Sequence, residues 1–175
     1  MSVIERVSKS VTIRGRCFLL SFVAESVLQF IDHENARGLA KNAVEAIQNW
    51  QTDPSSLTGE QVYQWSGDNE NEDGLVFIEQ ELDEGSDLDN AVLCVLSAVM
   101  YVAWHAYMHD GVEPQYAALA SVDESVFMQT VNYALKIAGL DENRMEAIAS
   151  FLAEQHRATS HTEFGECVQL PSSFS

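Results

Sequence analysis

The hydrophobic positions along the chain are spaced as in helices, and the most apolar stretch lies near the middle. The segment from about 87 to 108 has no charged side chain at positions 91–104. Ser86 with Asp89 three residues later indicates a capped helix start, and Gly111 indicates its end. A helix that is apolar on every side has to be covered by other helices. We expect a buried central helix and no membrane span, which needs about 20 apolar residues and basic flanks.

Amphipathic segments precede this stretch. Within 16–31, apolar side chains recur at four-residue steps through Phe18, Phe22 and Phe30, with Leu19, Val23 and Val27 beside them. This spacing predicts an amphipathic helix with a wide apolar face. A second helix with the same periodicity follows, after a predicted break between 33 and 38. Both helices would pack against the central one.

Capping boxes predict further helix starts. Thr58 precedes Gln61 by three residues, and Ser121 precedes Glu124 by the same spacing. Between the two boxes, the spacing of apolar residues in 75–82 favours a helix slightly over a strand. Each box would fix where the chain turns into a helix after a loop.

Together these signals predict an all-α, single-domain bundle of six to eight helices around a buried central helix at about 87–108. The helical domain would span residues 1–156. Residues 157–175, which include Gly165, Pro171 and several serines, would form an irregular C-terminal tail.

The charge of the chain is unevenly distributed. It has 9 Lys and Arg against 27 Asp and Glu, a net charge of −18. No Lys or Arg occurs in 42–135, where 17 of the acidic residues fall, ten of them between 68 and 89. Such a field repels nucleic acid and anionic membranes, and it attracts cations or a basic protein. We therefore expect a protein partner and no direct binding of nucleic acid or membrane.

Two stretches partly match metal sites. His105 and His109 are one helical turn apart, but Ala106 stands where the zinc-protease motif has a glutamate, and a helix end accounts for both histidines. Residues 69–80 follow part of a calcium loop, but Gln80 stands where a bidentate carboxylate is required. The sequence has no nucleophile elbow, phosphate loop or dinucleotide fingerprint. We therefore predict no metal, no cofactor and no enzymatic activity.

The acidic run has two interpretations. It is either a solvated face that keeps the protein soluble or a docking face for a basic partner. The docking interpretation is favoured because the acidity is not interleaved with lysine, and because large apolar side chains beside it could serve as anchors. The predicted partner-binding residues are Trp65, Asp68, Glu70, Glu72, Asp73, Phe77, Glu79, Glu81, Asp83 and Glu84.

A small, acidic, all-helical chain whose apolar helix leads into Ala103-Trp104-His105 resembles the immunity proteins of bacterial toxin systems, those of contact-dependent growth inhibition in particular. The resemblance implies a cytoplasmic protein that binds a cognate basic toxin domain and blocks its active site. Such toxins are commonly nucleases, among which we favour an RNase, and an acidic face would occupy the cleft in place of phosphates. Three widely spaced cysteines agree with a reducing compartment. The alternative is a non-enzymatic acidic adaptor or regulatory subunit for another basic protein.

Overall fold

Nine α-helices make up most of the chain that the computed structural model describes, residues 2–67 and 74–174. They are α1 (Val3–Ser10), α2 (Ile13–Val27), α3 (Glu34–Thr52), α4 (Gly59–Tyr63), α5 (Leu75–Glu79), α6 (Asp87–Asp110), α7 (Ala117–Ala120), α8 (Ser125–Leu135) and α9 (Glu142–Gln155). Short 3-10 turns lie at Leu28–Phe30, Gln64–Ser66 and Ser172–Phe174. The prediction of an all-α fold around a buried central helix is confirmed, and six of these helices have eight residues or more.

α6 is the buried centre of the fold, as its apolar sequence predicts. It packs against α2, α3, α4, α5, α7 and α8. By length and composition it could cross a membrane, but 72% of its apolar 18-residue window is buried inside the fold. Ser86 accepts a hydrogen bond from the Asp89 N–H at 3.0 Å, and the Asp89 carboxylate accepts the Gly85 N–H at 2.7 Å. Gly111 ends the helix with a φ of 68°, a left-handed conformation that favours glycine.

Most of the wide apolar face predicted for α2 lies in the core. Leu19, Val23 and Val27 are buried there, as predicted, whereas Phe18 and Phe22 are half-buried and line a groove at its edge. Both stripes have helical spacing, so periodicity alone does not show which of them is the more deeply buried. The rings of Phe18 and Phe22 therefore remain partly accessible.

α3 begins earlier than predicted. Its first residue is Glu34, and Nδ1 of His33 accepts a hydrogen bond from the Ala36 N–H at 3.2 Å. Gly38 lies inside the helix, so the predicted break over 33–38 is wrong beyond His33. A glycine at an exposed helix position costs about 1 kcal/mol relative to alanine, which the packing of the rest of this 19-residue helix offsets.

The predicted capping box at Ser121 and Glu124 does not form. α8 begins at Ser125, and the Asp123 carboxylate accepts hydrogen bonds from the N–H and the hydroxyl of Ser125, at 2.8 and 2.5 Å. Glu124 makes no capping hydrogen bond, and its side chain is turned toward α2 and α6. The aspartate one residue earlier takes the capping role because its shorter side chain reaches the N–H two residues on.

The segment after α9 runs along the junction between α1 and α2. The N–H groups of Ile13 and Arg14 donate to the carbonyls of Glu163 and Phe164, both at 2.9 Å. Backbone pairing therefore ties this segment to the helices. The predicted boundary between domain and tail after residue 156 stays a prediction.

Candidate functional site

Trp65 lies on the turn that follows α4, and α4 is hydrogen-bonded to the C-terminal end of α6. Glu60, in the first turn of α4, accepts hydrogen bonds from the hydroxyls of Tyr107 and Tyr116, at 2.5 and 2.6 Å. The Tyr107 hydroxyl, followed by that of Tyr116, holds the pKa of the Glu60 carboxyl below its ordinary value. The 3-10 turn at 64–66 follows this anchored helix, and Trp65 on it is 37% exposed.

The residues that flank positions 68–73 lie side by side. Gly67, two residues beyond Trp65, has a φ of 78°, and a Cβ atom on it would lie 2.3 Å from the Cα of Gly74. Two glycines allow the backbones to approach this closely. Four predicted contact residues lie outside the described residues: Asp68, Glu70, Glu72 and Asp73.

The other predicted partner-binding residues after position 74 lie on α5 or directly after it. Leu75 is buried, and α5 packs against α3 and α6. The helix ends at Glu79, so it is shorter than the predicted helix through Leu82. Phe77 and Glu79 are half-buried, and the next three carboxylates are exposed. We call the following residues the acidic surface: Trp65, Phe77, Glu79, Glu81, Asp83 and Glu84.

The carboxylates of the acidic surface have no basic partner. Within residues 2–67 and 74–174, no lysine or arginine nitrogen lies within 4.0 Å of any of these four groups. Burial, and next the charge of Asp89, raises the pKa of the Glu79 carboxyl. The charged form of Glu79 is thus disfavoured in the folded protein, a free-energy cost that a nearby basic group would relieve.

Trp65 forms one wall of a groove of about 260 Å³ whose other wall is α3. We call it the Trp65 groove. The α3 wall was not identified in the sequence, although positions 42, 45 and 49 share one polar face of the helix. This polar periodicity does not show which other part of the fold lies opposite that face of α3. The further lining residues are Asn42, Glu45, Ala46, Asn49 and Leu57.

A second group of ionisable side chains surrounds Glu124, whose side chain is 31% exposed. Its Oε1 is 3.3 Å from Arg16 Nη2 and 3.0 Å from His161 Nε2, and the Tyr101 hydroxyl donates to its Oε2 at 2.6 Å. Arg16 is fully buried and also donates to the His161 carbonyl at 3.0 Å. This Glu124 cluster (Arg16, Tyr101, Glu124 and His161) joins α2, α6, the start of α8 and the C-terminal segment. No local sequence signal identified it.

His105 lies beside the Glu124 cluster and is neutral. Burial, and then the Arg16 and His161 groups, lowers the pKa of His105 to about 3. The 3.8 Å approach of its Nε2 to Glu124 is therefore not an ion pair. His109, one turn later, is exposed, so the two histidines have different surroundings. Across the part of the chain that the structure describes, no three His, Cys, Asp or Glu side chains are placed to hold a metal ion.

Comparison with protein families places the chain among the immunity proteins, which inhibit toxins. The sequence model of the family "Immunity protein Imm6" matches residues 15–137, more than half of the chain, from α2 through α8. The chain therefore belongs to the Imm6 family, whose members are non-enzymatic toxin inhibitors, and it neutralises a cognate toxin. The match includes Trp65 and the acidic run. No curated protein and no solved structure matches the chain.

Proposed function

We propose that the cognate toxin is a basic nuclease domain, with an RNase as the first candidate, and that the acidic surface covers its active site. The observation that carries this proposal is the group of carboxylates without basic partners on and after α5, the helix that packs against the turn bearing the exposed ring of Trp65. A nuclease cleft binds phosphates through lysine and arginine. A surface that presents carboxylates without counterions can replace those phosphates.

Binding would proceed in two physical stages. The concentrated negative field first steers the basic toxin, which raises the association rate and makes it sensitive to salt. Some of the carboxylates then pair with basic groups of the cleft, where water is excluded. Loss of a carboxylate that is desolvated in the complex costs about 2–5 kcal/mol, whereas loss of one at the rim mainly slows association.

Trp65 and Phe77 supply the apolar part of the contact. Trp65 is partly exposed at the edge of the Trp65 groove, and Phe77 is half-buried on α5. Tight interfaces are anchored by a few large aromatic side chains that fill pockets of the partner within a polar rim. We propose that Trp65 is the principal anchor because it has the larger accessible ring.

We further propose that the toxin belongs to a contact-dependent growth inhibition system and meets this protein in the bacterial cytoplasm. A nuclease acts where nucleic acid is present, so its inhibitor has to be in the same compartment. Cys17 and Cys94 support this placement because both are unpaired and buried in the core.

The test is a pull-down from the native host with the tagged protein, at low and at high salt, followed by a nuclease assay on the captured domain. We expect a basic domain bound one to one, weakened by salt, whose nuclease activity the protein abolishes. A captured toxin without nuclease activity would overturn the nuclease assignment, and a complex insensitive to salt would overturn electrostatic steering.

A charge-matched pair of variants tests the surface itself. One variant neutralises the acidic surface by Glu79→Gln, Glu81→Gln, Asp83→Asn and Glu84→Gln. The control makes the same change in net charge at four exposed glutamates elsewhere, Glu113, Glu146, Glu154 and Glu166. We expect slower association and a smaller salt dependence in the first variant alone. Equal association rates in the two variants would show that the acidic surface is not the contact.

A further inference from the structure

A larger groove lies between α2, α3 and the segment after α9. Its volume is about 490 Å³, and its lining combines the rings of Phe18 and Phe22 with amide and hydroxyl side chains of α3. The Arg144 guanidinium lies over the Phe22 ring, 5.4 Å from its centroid, and Glu25 accepts a hydrogen bond from Gln48 at 3.1 Å. We call this cavity the α2–α3 groove. Apolar rings beside amide and hydroxyl groups suit a polypeptide segment, which offers both side chains and backbone amides.

Gln51, which lines this groove, carries a buried hydrogen-bond donor that the protein does not use. The residue is 4% exposed. Its backbone carbonyl accepts a hydrogen bond from Arg14 Nη2 at 2.6 Å, but its side-chain Nε2 is buried and has no hydrogen-bond partner among the residues that the structure describes. A buried amide without a partner destabilises the fold. Once the side chain turns toward the groove, a carbonyl oxygen there would supply that partner.

Asn49 connects the α2–α3 groove with the Trp65 groove. Its side chain is exposed, and it lines both grooves, one on each side of α3. A continuous surface therefore extends from Trp65 across α3 to Phe22. Stable protein interfaces use roughly 20–30 residues on each side. The acidic surface alone is smaller than this, and the surface across α3 supplies the additional area.

We propose that an extended segment of the cognate toxin crosses α3 from the acidic surface into the α2–α3 groove. There a backbone carbonyl of the toxin accepts a hydrogen bond from Gln51, and an apolar side chain packs against Phe18 and Phe22. This inference rests on the proposed function because it takes the acidic surface as the first contact. The two regions then control different rates: the acidic surface sets association, and the groove sets dissociation.

The first test is Gln51→Met, which removes the amide and keeps a similar volume. The probe is the toxin domain captured in the pull-down. We expect an equal or higher midpoint of thermal unfolding, an unchanged association rate and dissociation faster by about tenfold or more. The control is Gln129→Met on α8, an exposed position outside both grooves, which should leave both rates unchanged. Lower thermal stability with unchanged dissociation would assign Gln51 a structural role and overturn the proposal.

The second test identifies the occupant of the groove. A photo-crosslinking benzoylphenylalanine replaces Asn49, or Asn132 on α8 as the control, in the complex with the same toxin domain. Cross-links from position 49 to a toxin segment would support the proposal. Cross-links to a second copy or to the C-terminal segment of this chain, or none in a formed complex, would overturn it.

The two proposals fail in different ways. If neutralisation of the acidic surface leaves association unchanged while Gln51→Met speeds dissociation, the acidic contact is wrong and the groove contact stands. If neutralisation slows association while Gln51→Met leaves dissociation unchanged, the groove contact is wrong and the acidic contact stands.

Discussion

Two groups of carboxylates in this protein have opposite surroundings. Glu124 lies within 3.3 Å of basic groups on Arg16 and His161 and accepts a hydrogen bond from Tyr101. In the described part of the chain, the four carboxylates of the acidic surface have no lysine or arginine within 4.0 Å. Both groups belong to 42–135, the stretch without lysine or arginine. The difference arises because the fold brings Arg16 and His161 from distant positions to Glu124 alone.

The two groups use charge differently. Arg16 is fully buried, and a buried charge is tolerated only when it is paired and hydrogen-bonded, so the Glu124 cluster serves to join elements of the fold. A soluble surface usually intersperses charges of both signs. Under the proposed function, the acidic surface gives up some stability, as binding sites commonly do, and binding of the toxin would restore it.

The largest effect is expected at the Glu124 cluster. Arg16→Met would leave the Glu124 carboxylate and the Tyr101 hydroxyl without the buried cation. Because the Glu124 side chain is 31% exposed, the loss should lie between that of a surface ion pair, up to about 1 kcal/mol, and that of a fully buried one, about 3–5 kcal/mol. Urea unfolding should show this loss, whereas Arg6→Met, at an exposed position on α1, should have little effect. Glu124→Leu in addition to Arg16→Met should recover part of the stability. A loss below about 1 kcal/mol, the range of a surface ion pair, would contradict a structural role for the cluster.

The next effect concerns binding. Trp65→Ala should leave the stability of the free protein nearly unchanged because the ring is already partly exposed. It should weaken toxin binding by about 2 kcal/mol or more, close to 30-fold in Kd, as loss of an aromatic anchor does. Met108→Ala is the matched control, since Met108 is also a large exposed hydrophobic residue. Calorimetric titration with the toxin domain measures both, and equal losses in the two variants would remove Trp65 from the contact.

A third prediction concerns the pH dependence of stability, which tests whether the buried His105 is neutral. The pKa of His105 is lowered from 6.5 to about 3, so between these values the unfolded state binds more protons than the folded state. Stability should therefore fall as the pH falls below 6.5, by about 1.4 kcal/mol per pH unit for this one group. His105→Leu should reduce that slope and leave stability at pH 7 unchanged or higher, because both ring nitrogens lack hydrogen-bond partners among the described residues. Identical pH profiles for the two proteins would show that His105 does not remain neutral.

Local signals were sufficient for the helices of this fold. The uncharged stretch at 91–104 predicted α6, and the capping box at Thr58 and Gln61 forms as expected. The same type of box at Ser121 and Glu124 failed because tertiary contacts with Glu124 outweigh a local cap. Sequence spacing cannot distinguish the two cases, since the partners of Glu124 are remote in the chain.

The candidate binding surfaces could likewise be predicted from the sequence only in part. Trp65 and Phe77 could be nominated from the sequence because they flank a run of carboxylates, and the structure leaves both partly accessible. The α2–α3 groove could not, because it combines residues from α2, α3, α9 and the C-terminal segment. The sequence predicts one wide apolar face on α2 that includes both the half-buried phenylalanines and the buried Leu19 and Val23, because the two neighbouring stripes have equal periodicity. Only packing decides which stripe is buried.

The smallest expected effect concerns the thermal stability of the acidic surface. If the acidic surface sacrifices stability for binding, Glu79→Gln should raise the midpoint of thermal unfolding at pH 7, by less than about 2 °C. The reason is that burial and Asp89 raise the pKa of the Glu79 carboxyl, so the folded state binds the proton more tightly. Stability of the wild type then falls as the pH rises from about 4.5, the ordinary value, through the raised value, and the variant lacks this fall. Glu81→Gln, at an exposed position, should leave the midpoint unchanged, and both variants should associate more slowly with the toxin. A lower midpoint for Glu79→Gln would mean that Glu79, like Glu124, stabilises the fold.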